Sequence, residues 1–528
     1  MTIQLNNIDN FSDRATWDLI CSGRTKGVFQ LESRLGQSWA KRVNPRSVEE
    51  LADLISIIRP GTLEAMLDGK SMTKHYVDRK AQRDETVYLH ESLEPILKPT
   101  YGIIVYQEQA MKIATSIAGF SPEEADSLRK AMGKKDAALM KEVREKFTNG
   151  AKNKGIVDEA TAEQIFDWIS ASARYSFNKS HAVAYAINSF RSAYCKTHDP
   201  LKFYATYLNH ACNKPDKQRE IKELITDARM SGVEVYPPRL EYFHKRFTMN
   251  RDKNIIYFGY SNVKSVGEGE QERLAVIIKE AEEKLNKPIS EFSWMDCLLY
   301  IGNQLKKNAF NALISVGGMN GKNNNKTRNS MLFEYAVWDS LTKKETVWII
   351  DNYEKTPYVS LESAMRDMIN RNEDINSRRM KTVMEVYNGL VTPAYSLEDS
   401  IEWISDIEQK LMGYSLSCTK VDSLKENHSD VSCRDIATKE AQRGGATIAV
   451  KLTEVKEYKI KNGERAGEIM GFLSGEDFTG ECDCFVIFPK EFLKFKKLLF
   501  LGNTVLLYGE VKEKGKDLSF IINNIKQV

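Results

Sequence analysis

The chain has 528 residues, 42% hydrophobic and 28% charged, with a formal net charge of +3. This length allows about three domains, and the composition is that of a soluble globular protein rather than a fibrous or disordered one. The near balance of charge excludes bulk electrostatics as a source of nucleic-acid affinity, so any such signal must be local. The polar start MTIQLNNIDNFSD has no signal-peptide core, and no apolar run reaches the length of a membrane span. Eight cysteines without C-x-x-C spacing fit reduced thiols, so a cytoplasmic protein is expected.

The first 235 residues read as mainly helical. Leu51 to Ile58 is an apolar helical run stopped by Arg59-Pro60-Gly61. Ser121-Pro122-Glu123-Glu124 opens a helix with Ser at the cap, Pro at the first position and Glu at the third. That helix carries Asp126, Arg129 and Lys130, and Gly133 ends or bends it. Glu159 to Ala173 and Ala182 to Tyr194 continue the helical period. Pro237-Pro238 marks a boundary, followed by a short strand at Ile255 to Gly259 and a charged helix from Glu270 to about Leu285. Lys322 to Lys326 reads as a polar surface loop, and residues 335 to 410 carry Trp, Tyr and charge without a nameable motif. After Gly444-Gly445 the period changes to two. Strands are expected at Thr447–Leu452, Glu468–Leu473, Glu481–Phe488, Thr504–Val511 and Leu518–Ile522, with Cys482 and Cys484 on one face. Five short strands in about eighty-five residues fit a small Greek-key barrel such as an OB-fold.

Two clusters carry chemistry. Arg129, Lys130, Lys134 and Lys135 place four cations within seven residues, interleaved with Ala131, Met132 and Gly133. The plain reading is a solvated helix end, and the sharper one is a grip on nucleotide phosphates, with Arg bidentate and Lys a point charge. Tyr175-Ser-Phe-Asn-Lys-Ser-His-Ala-Val-Ala-Tyr185 precedes a helix that Ser180 can cap. A helix amino terminus is itself an anion site, with Asn178 and His181 as donors and Lys179 as charge. A Ser-His nucleophile is the weaker alternative, because no acidic orienting partner stands nearby. Val266-Gly267-Glu268-Gly269 beside Lys264 has the form of a helix-hairpin-helix turn, although a plain helix connection has the same pattern. On the barrel, Tyr458, Lys459, Lys461, Phe472, Phe485 and Phe488 are candidates for a single-strand surface, about half of the aromatics being core. No Asp-x-Asp pair occurs anywhere in the chain.

Arg129-Lys-Ala-Met-Gly-Lys-Lys135 and Tyr175-Ser-Phe-Asn-Lys-Ser-His181 resemble signatures of the bacterial C-family replicative DNA polymerases. Gly27-Val-Phe-Gln-Leu-Glu-Ser33, Ile58-Arg-Pro-Gly61 and Pro99-Thr-Tyr-Gly-Ile-Ile-Val-Tyr-Gln-Glu-Gln109 resemble that family's fingers domain. Val263-Lys-Ser-Val-Gly-Glu-Gly269 is similar to its hairpin motif, and Glu408-Gln-Lys-Leu-Met-Gly-Tyr-Ser-Leu416 to the segment leading into its OB domain. The resemblance implies a multidomain α+β protein: a mainly helical fingers domain over 1–235, a helix-hairpin-helix-containing α/β middle domain over 236–440, and an all-β OB-fold barrel over 441–528. It implies Arg129 and Lys130 as phosphate ligands, with Lys134, Asn178, Lys179, Ser180, His181 and Arg59 assisting, and Lys264, Gly267, Gly269, Lys459 and Lys461 on DNA.

The departures shape the functional expectation. The family's magnesium-binding aspartates lie in a palm upstream of the fingers, and this chain starts where that palm ends. Expected, then, is a polymerase half that binds dNTP and primer-template DNA with a palm- and thumb-bearing subunit in trans. Magnesium belongs to the assembled enzyme, and no catalytic residue or metal ligand is expected on this chain. A split replicase suits a phage with an AT-rich genome, as the Lys and Asn content suggests. A sliding-clamp contact is not supported, because Gln409-Lys-Leu-Met-Gly-Tyr414 fits the clamp peptide only superficially. Ser417-Cys-Thr419 replaces the family's Gly-His-Pro, and Arg239 stands after Pro238 where an acid is usual. The alternative is a non-catalytic DNA-binding or replisome-assembly protein on the same scaffold.

Overall fold

The computed structural model describes residues 7–527 apart from 68, 135–136, 174, 322–325, 372–374, 423–428 and 515–516. Lys135 and most of the Lys322 to Lys326 loop therefore lie outside the described residues. The chain groups into two units, Met1–Phe203 and Tyr204–Val528.

The first unit is helical: α1 (Arg14–Ser22), α2 (Arg34–Val43), α3 (Val48–Ile57) and α4 (Pro60–Glu64), then a hairpin of β1 (Met66–Leu67) and β2 (Lys70–Ser71) and α5 (Met72–Lys80). There follow α6 (Glu94–Leu97), α7 (Gln107–Ala118), α8 (Pro122–Lys134), α9 (Ala137–Lys154), α10 (Glu159–Ser172) and α11 (Lys179–His198). It has two cores. Trp17, Ile20, Leu51, Leu54, Tyr76 and Phe190 belong to the one around α3 and α11, and Ile113, Leu128, Phe147, Phe166 and Ile169 to the one among α7 to α10. Helix α3 is central, because every residue from Leu51 to Ile57 is buried, Asp53 and Ser56 included. Helix α8 starts as expected: the Glu124 amide donates to the Ser121 hydroxyl and the Ser121 amide to the Glu124 carboxylate. Gly133 does not end this helix, which runs on to Lys134.

The second unit begins with helical structure, including Lys217–Met230, and a three-stranded sheet in the order β3 (Glu234–Tyr236), β5 (Ile255–Tyr257), β4 (Thr248–Asn250). A helix follows at Glu268–Leu285. The stretch 335 to 410 is helical, with Arg328–Asp339, Lys343–Tyr353, Leu361–Arg371, Ser377–Val391 and Ile401–Met412. Its centre is a buried ion pair. Arg328 Nη1 donates to Glu408 Oε1 at 2.9 Å and to the Ser315 carbonyl at 2.9 Å, and Arg328 Nη2 donates to the Ser417 hydroxyl at 2.8 Å. Glu408 Oε2 also accepts the amides of Leu416 and Ser417. The serine that departs from the family pattern is thus tied into this network.

The carboxy-terminal sheet has β6 (Gly444–Lys459), β7 (Ile469–Asp477), β8 (Gly480–Ile487), β9 (Thr504–Lys514) and β10 (Asp517–Gln527). The pairing runs β9-β6-β7-β8-β10 and returns from β10 to β9, so each strand has two partners. Strand β6 serves both neighbours by its length: residues 444–451 pair with β9 and 451–459 with β7, across a register shift at Leu452/Glu454. Ile448, Val450, Leu473, Phe485, Ile487, Leu507 and Phe520 fill the interior, and Phe492 and Phe495 of the helix Pro489–Phe495 join them. Cys482 is buried and Cys484 half-buried on β8, both as free thiols. No helix among the described residues is long and apolar enough to cross a membrane.

Candidate functional site

The site is built where two distant segments meet. Phe177 donates its amide to the Val105 carbonyl and accepts the Gln107 amide, both at 2.9 Å, forming a parallel bridge with Tyr106. This join sets Phe177-Asn-Lys-Ser-His181 against the start of α7. Arg59, at the end of α3, reaches the same place. Its Nη2 donates to the Tyr175 carbonyl at 2.8 Å, its Nε to the Ser56 carbonyl at 3.2 Å, and its guanidinium lies 3.9 Å over the Phe177 ring. The Lys179 ammonium lies 5.7 Å over the Tyr106 ring. Two cations therefore rest on two bridge-paired aromatic rings. No carboxylate among the described residues forms an ion pair with Arg59, and burial alone lowers its pKa.

From Phe177 a column of rings continues along α11. His181 stands 5.3 Å from Phe177 and 4.1 Å from Tyr185, and Tyr185 stands 5.1 Å from Phe29. His181 and Phe29 are exposed. His181 and Tyr185 are an i, i+4 pair on α11, and Phe177, just before the cap, adds its ring below them.

The amino terminus of α11 differs from the sequence expectation in two ways. The helix starts at Lys179 rather than near Ala182, and its cap is Asn178 rather than Ser180. Asn178 Oδ1 accepts the His181 amide at 2.9 Å and also the Ser180 hydroxyl at 2.7 Å. Asn178 is the cap because it stands immediately before the first helical residue, whereas Ser180 lies within the first turn. The Lys179 amide donates to both oxygens of Glu108 at 3.0 Å. A carboxylate of the protein itself thus occupies the positive end of the helix. The backbone amides of Lys179 and His181 are engaged, and an anion here would meet the side chains of Arg59, Lys179 and His181 instead. Glu108 escaped the sequence reading, although it lies in the Tyr106-Gln-Glu-Gln109 segment that carries the resemblance.

Arg129 and Lys130 belong to α8, on the other core. Arg129 pairs with Asp126 at 2.7 Å and Lys130 with Asp126 at 2.9 Å, and these partners hold the Asp126 carboxyl below its ordinary range. The cation density seen in the sequence is partly neutralised on the same helix. Both side chains remain exposed at 38% and 57%, so these pairs are weak and exchangeable. The side chain of Lys134 lies outside the described residues.

In the second unit, the turn at Gly267 and Gly269 opens the helix Glu268–Leu285, with Gly267 at the cap. The element before it is the 3-10 turn Tyr260–Asn262, not a helix, so the expected pair of helices is absent at this turn. Around both glycines a Cβ would meet nothing within 4 Å, and neither has a left-handed φ. Lys264 is exposed, and its amide donates to the Leu411 carbonyl at 2.8 Å. Glu268 pairs with Lys245, and Glu270 with Lys306 at 2.5 Å. On the barrel, Lys459 ends β6 and Lys461 follows it, both exposed, with Tyr458 5.9 Å from Phe472. Phe488 is exposed at 40%, whereas Phe485 is fully buried and is a core residue rather than a surface candidate. Gln409 lies inside a helix with Met412 buried, which is not the extended form of a docking peptide.

Residues 1–155 match the family described as the bacterial DNA polymerase III alpha subunit finger domain. The chain is 29% identical over 523 residues to the DNA polymerase III subunit alpha of Staphylococcus epidermidis strain RP62A, covering 98% of this chain and 43% of that protein. It is 29% identical over 521 residues to the same-named subunit of Aquifex aeolicus, covering 97% and 39%. For Staphylococcus aureus strain MSSA476 the values are 28% identity, 98% and 43%. The chain is similar over nearly all of its length to the part of the bacterial DNA polymerase III alpha subunits that these alignments cover. It spans less than half the length of the relatives it matches. The finger-domain match includes Arg59, Tyr106, Glu108 and the Arg129 cluster, and the longer alignments span nearly all of this chain.

Proposed function

We propose that this chain is the fingers and DNA-binding half of a replicative DNA polymerase. It binds the incoming dNTP and primer-template DNA for template-directed synthesis, with a palm supplied in trans. The observation that carries this reading is the pair of cations, Arg59 and Lys179, laid on the bridge-paired rings of Phe177 and Tyr106, neither side chain forming an ion pair with a carboxylate among the described residues. Such cations suit a triphosphate, and the exposed rings of His181 and Phe29, with the half-buried Tyr185 between them, suit a base. Arg129 and Lys130 join them by exchanging Asp126 for phosphate oxygens.

Phosphoryl transfer of this kind depends mainly on positioning and charge neutralisation. In this reading Arg59 and Lys179 hold the phosphates, Asn178 and Glu108 fix the helix that carries Lys179, and His181 donates from the helix's first turn. Among the described residues no group of three or more His, Cys, Asp or Glu could hold a metal ion. The residues present therefore do not fit a magnesium site, and no step is assigned to the ion on this chain. Magnesium and its aspartates belong to the palm-bearing partner.

The carboxy-terminal strands, a three-stranded meander closed by a parallel β8–β10 pair, support an OB-fold reading, with Tyr458, Lys459 and Lys461 toward single-stranded template. Lys264 and the Gly267 turn would contact the duplex backbone, which positions without reading sequence. The test is primer extension with this chain alone and with a palm-bearing subunit. Extension is expected only with both, and Arg59→Ala and Arg129→Ala should each raise KM for all four nucleotides. Extension by the isolated chain would overturn the division of labour. Duplex binding without any stimulated extension would favour a non-catalytic DNA-binding protein.

A further inference from the structure

Behind the candidate face stands a buried carboxylate that the proposed chemistry does not use. Asp53 lies in the middle of α3, 4% exposed and surrounded by Leu51, Ala52, Leu54 and Ile55 of the core. Its two oxygens are divided between two elements. The Tyr76 hydroxyl of α5 donates to Oδ2 at 2.7 Å, and the Tyr106 hydroxyl donates to Oδ1 at 2.6 Å. A buried acid is costly, and a core position in an apolar helix needs none. Here it joins three segments of the face. Helix α3 ends at Ile57, two residues before Arg59, Tyr106 is bridge-paired with Phe177, and the Tyr106 ring lies beneath the Lys179 ammonium. The Thr73 hydroxyl of α5 also donates to the Ile57 carbonyl at 2.6 Å, binding the same end of α3 a second time.

We propose that Asp53 is a positioning residue of the nucleotide face: through Tyr106 and Tyr76 it holds the Arg59 end of α3 in register with the Tyr106–Phe177 bridge, and its negative charge draws Lys179 onto the Tyr106 ring. This rests on reading that face as a nucleotide site. The groups that face Asp53 are Tyr76 from α5, Tyr101 and Tyr106 ahead of α7, Lys179 of α11 and Glu50 on its own helix. Burial pushes the Asp53 carboxyl up to about 6, against the hydrogen bonds from Tyr106 and Tyr76 and the attraction of Lys179. The charge is therefore present at neutral pH and withdrawn in mild acid. When Asp53 takes up a proton, the pull on Lys179 ceases and one of its oxygens becomes a donor that competes with the tyrosine hydroxyls.

The test is calorimetric titration of the full chain with dATP at pH 5.0 and pH 7.5, for the parent and for Asp53→Asn, Tyr106→Phe, Arg59→Ala and Lys179→Ala. Asp53→Asn keeps the shape, removes the charge and replaces one acceptor oxygen by an amide donor, as protonation does. It should weaken dATP binding about fivefold at pH 7.5 and leave it nearly equal to the parent at pH 5.0. Tyr106→Phe should weaken binding at both values. Comparing variants at equal pH removes the titration of the nucleotide's own phosphates. Thermal unfolding separates positioning from folding: the Asp53→Asn midpoint at pH 7.5 should equal or exceed the parent's, because a buried charge is gone. If Arg59→Ala and Lys179→Ala weaken binding but Asp53→Asn does not, the positioning role fails while the face stands. If Asp53→Asn lowers binding and the unfolding midpoint together at both pH values, Asp53 is an ordinary core residue and the proposal is overturned. If Arg59→Ala and Lys179→Ala also leave dATP binding unchanged, the nucleotide face falls, and this inference with it.

Discussion

Arg328 and Arg59 make a useful pair. Each donates to a backbone carbonyl at close range, Arg328 to Ser315 at 2.9 Å and Arg59 to Tyr175 at 2.8 Å. There the likeness ends. Arg328 is 4% exposed and its charge is answered by the fully buried Glu408, whose own oxygens accept two amides and a hydroxyl. Arg59 is half-buried and meets carbonyls and a ring but no carboxylate among the described residues. The first region neutralises its charge within the fold. The second leaves a charge for something else to neutralise. An arginine neutralised within the fold and one open to an outside anion are told apart by which of their contacts carry opposite charge.

This contrast can be broken by substitution. Glu408→Ala should have the largest effect, destabilising by about 3–5 kcal/mol because Arg328 is left charged and buried without its partner. Urea unfolding of the full chain measures it, and Glu408→Leu combined with Arg328→Met should recover much of the loss. A small effect for Glu408→Ala alone would mean that Arg328 is not the structural partner described here.

The pH dependence comes next. The Asp53 carboxyl is raised from its ordinary value to about 6 in the fold, so between about pH 4 and 6 the folded state binds more protons than the unfolded one. Its contribution is fully present below the unfolded pKa and is lost as pH rises through the folded value. The difference between the two limits is about 3 kcal/mol, and Asp53→Asn should flatten that part of the stability profile. An unchanged slope would place the titrating group elsewhere.

Arg59→Ala should cost about 1–2 kcal/mol of stability, the scale of a charged hydrogen bond to a carbonyl. Its effect on nucleotide affinity should nevertheless exceed that of Arg129→Ala, which should leave the unfolding midpoint unchanged. Equal effects of the two on nucleotide affinity would erase the distinction between free and ion-paired cations. The smallest change is expected for Lys264→Ala: duplex binding weakens uniformly across sequences and the salt slope falls by about one.

The sequence reading of local structure held at the Ser121 cap, whereas within Phe177 to His181 it placed the helix start and its cap too late. It missed Glu108, because that carboxylate meets Lys179 across 71 residues of intervening chain. It counted the cations Arg129 and Lys130 without pairing them to Asp126, although the i, i+3 and i, i+4 spacing was in view. The carboxy-terminal strands were legible from their period of two, but β6 runs on through an exposed charged stretch to Lys459 that alternation does not reveal. Residues 335 to 410 resisted reading for a physical reason. Their helices bury charged residues, Glu345 against Arg379 and Glu408 against Arg328, so polar positions point inward and blur the apolar stripe.

The Tyr106–Phe177 bridge also bears on how the first unit folds. Between its two halves lie α7 to α10, which share a core of their own and can assemble from contacts close in sequence. The bridge, and with it the Arg59 stack, requires closing the loop around that subassembly, and loop-closure entropy makes such contacts slow to form. The proposed nucleotide face should therefore be among the last parts of this unit to assemble. Substitutions at Phe177 would then speed unfolding far more than they slow folding.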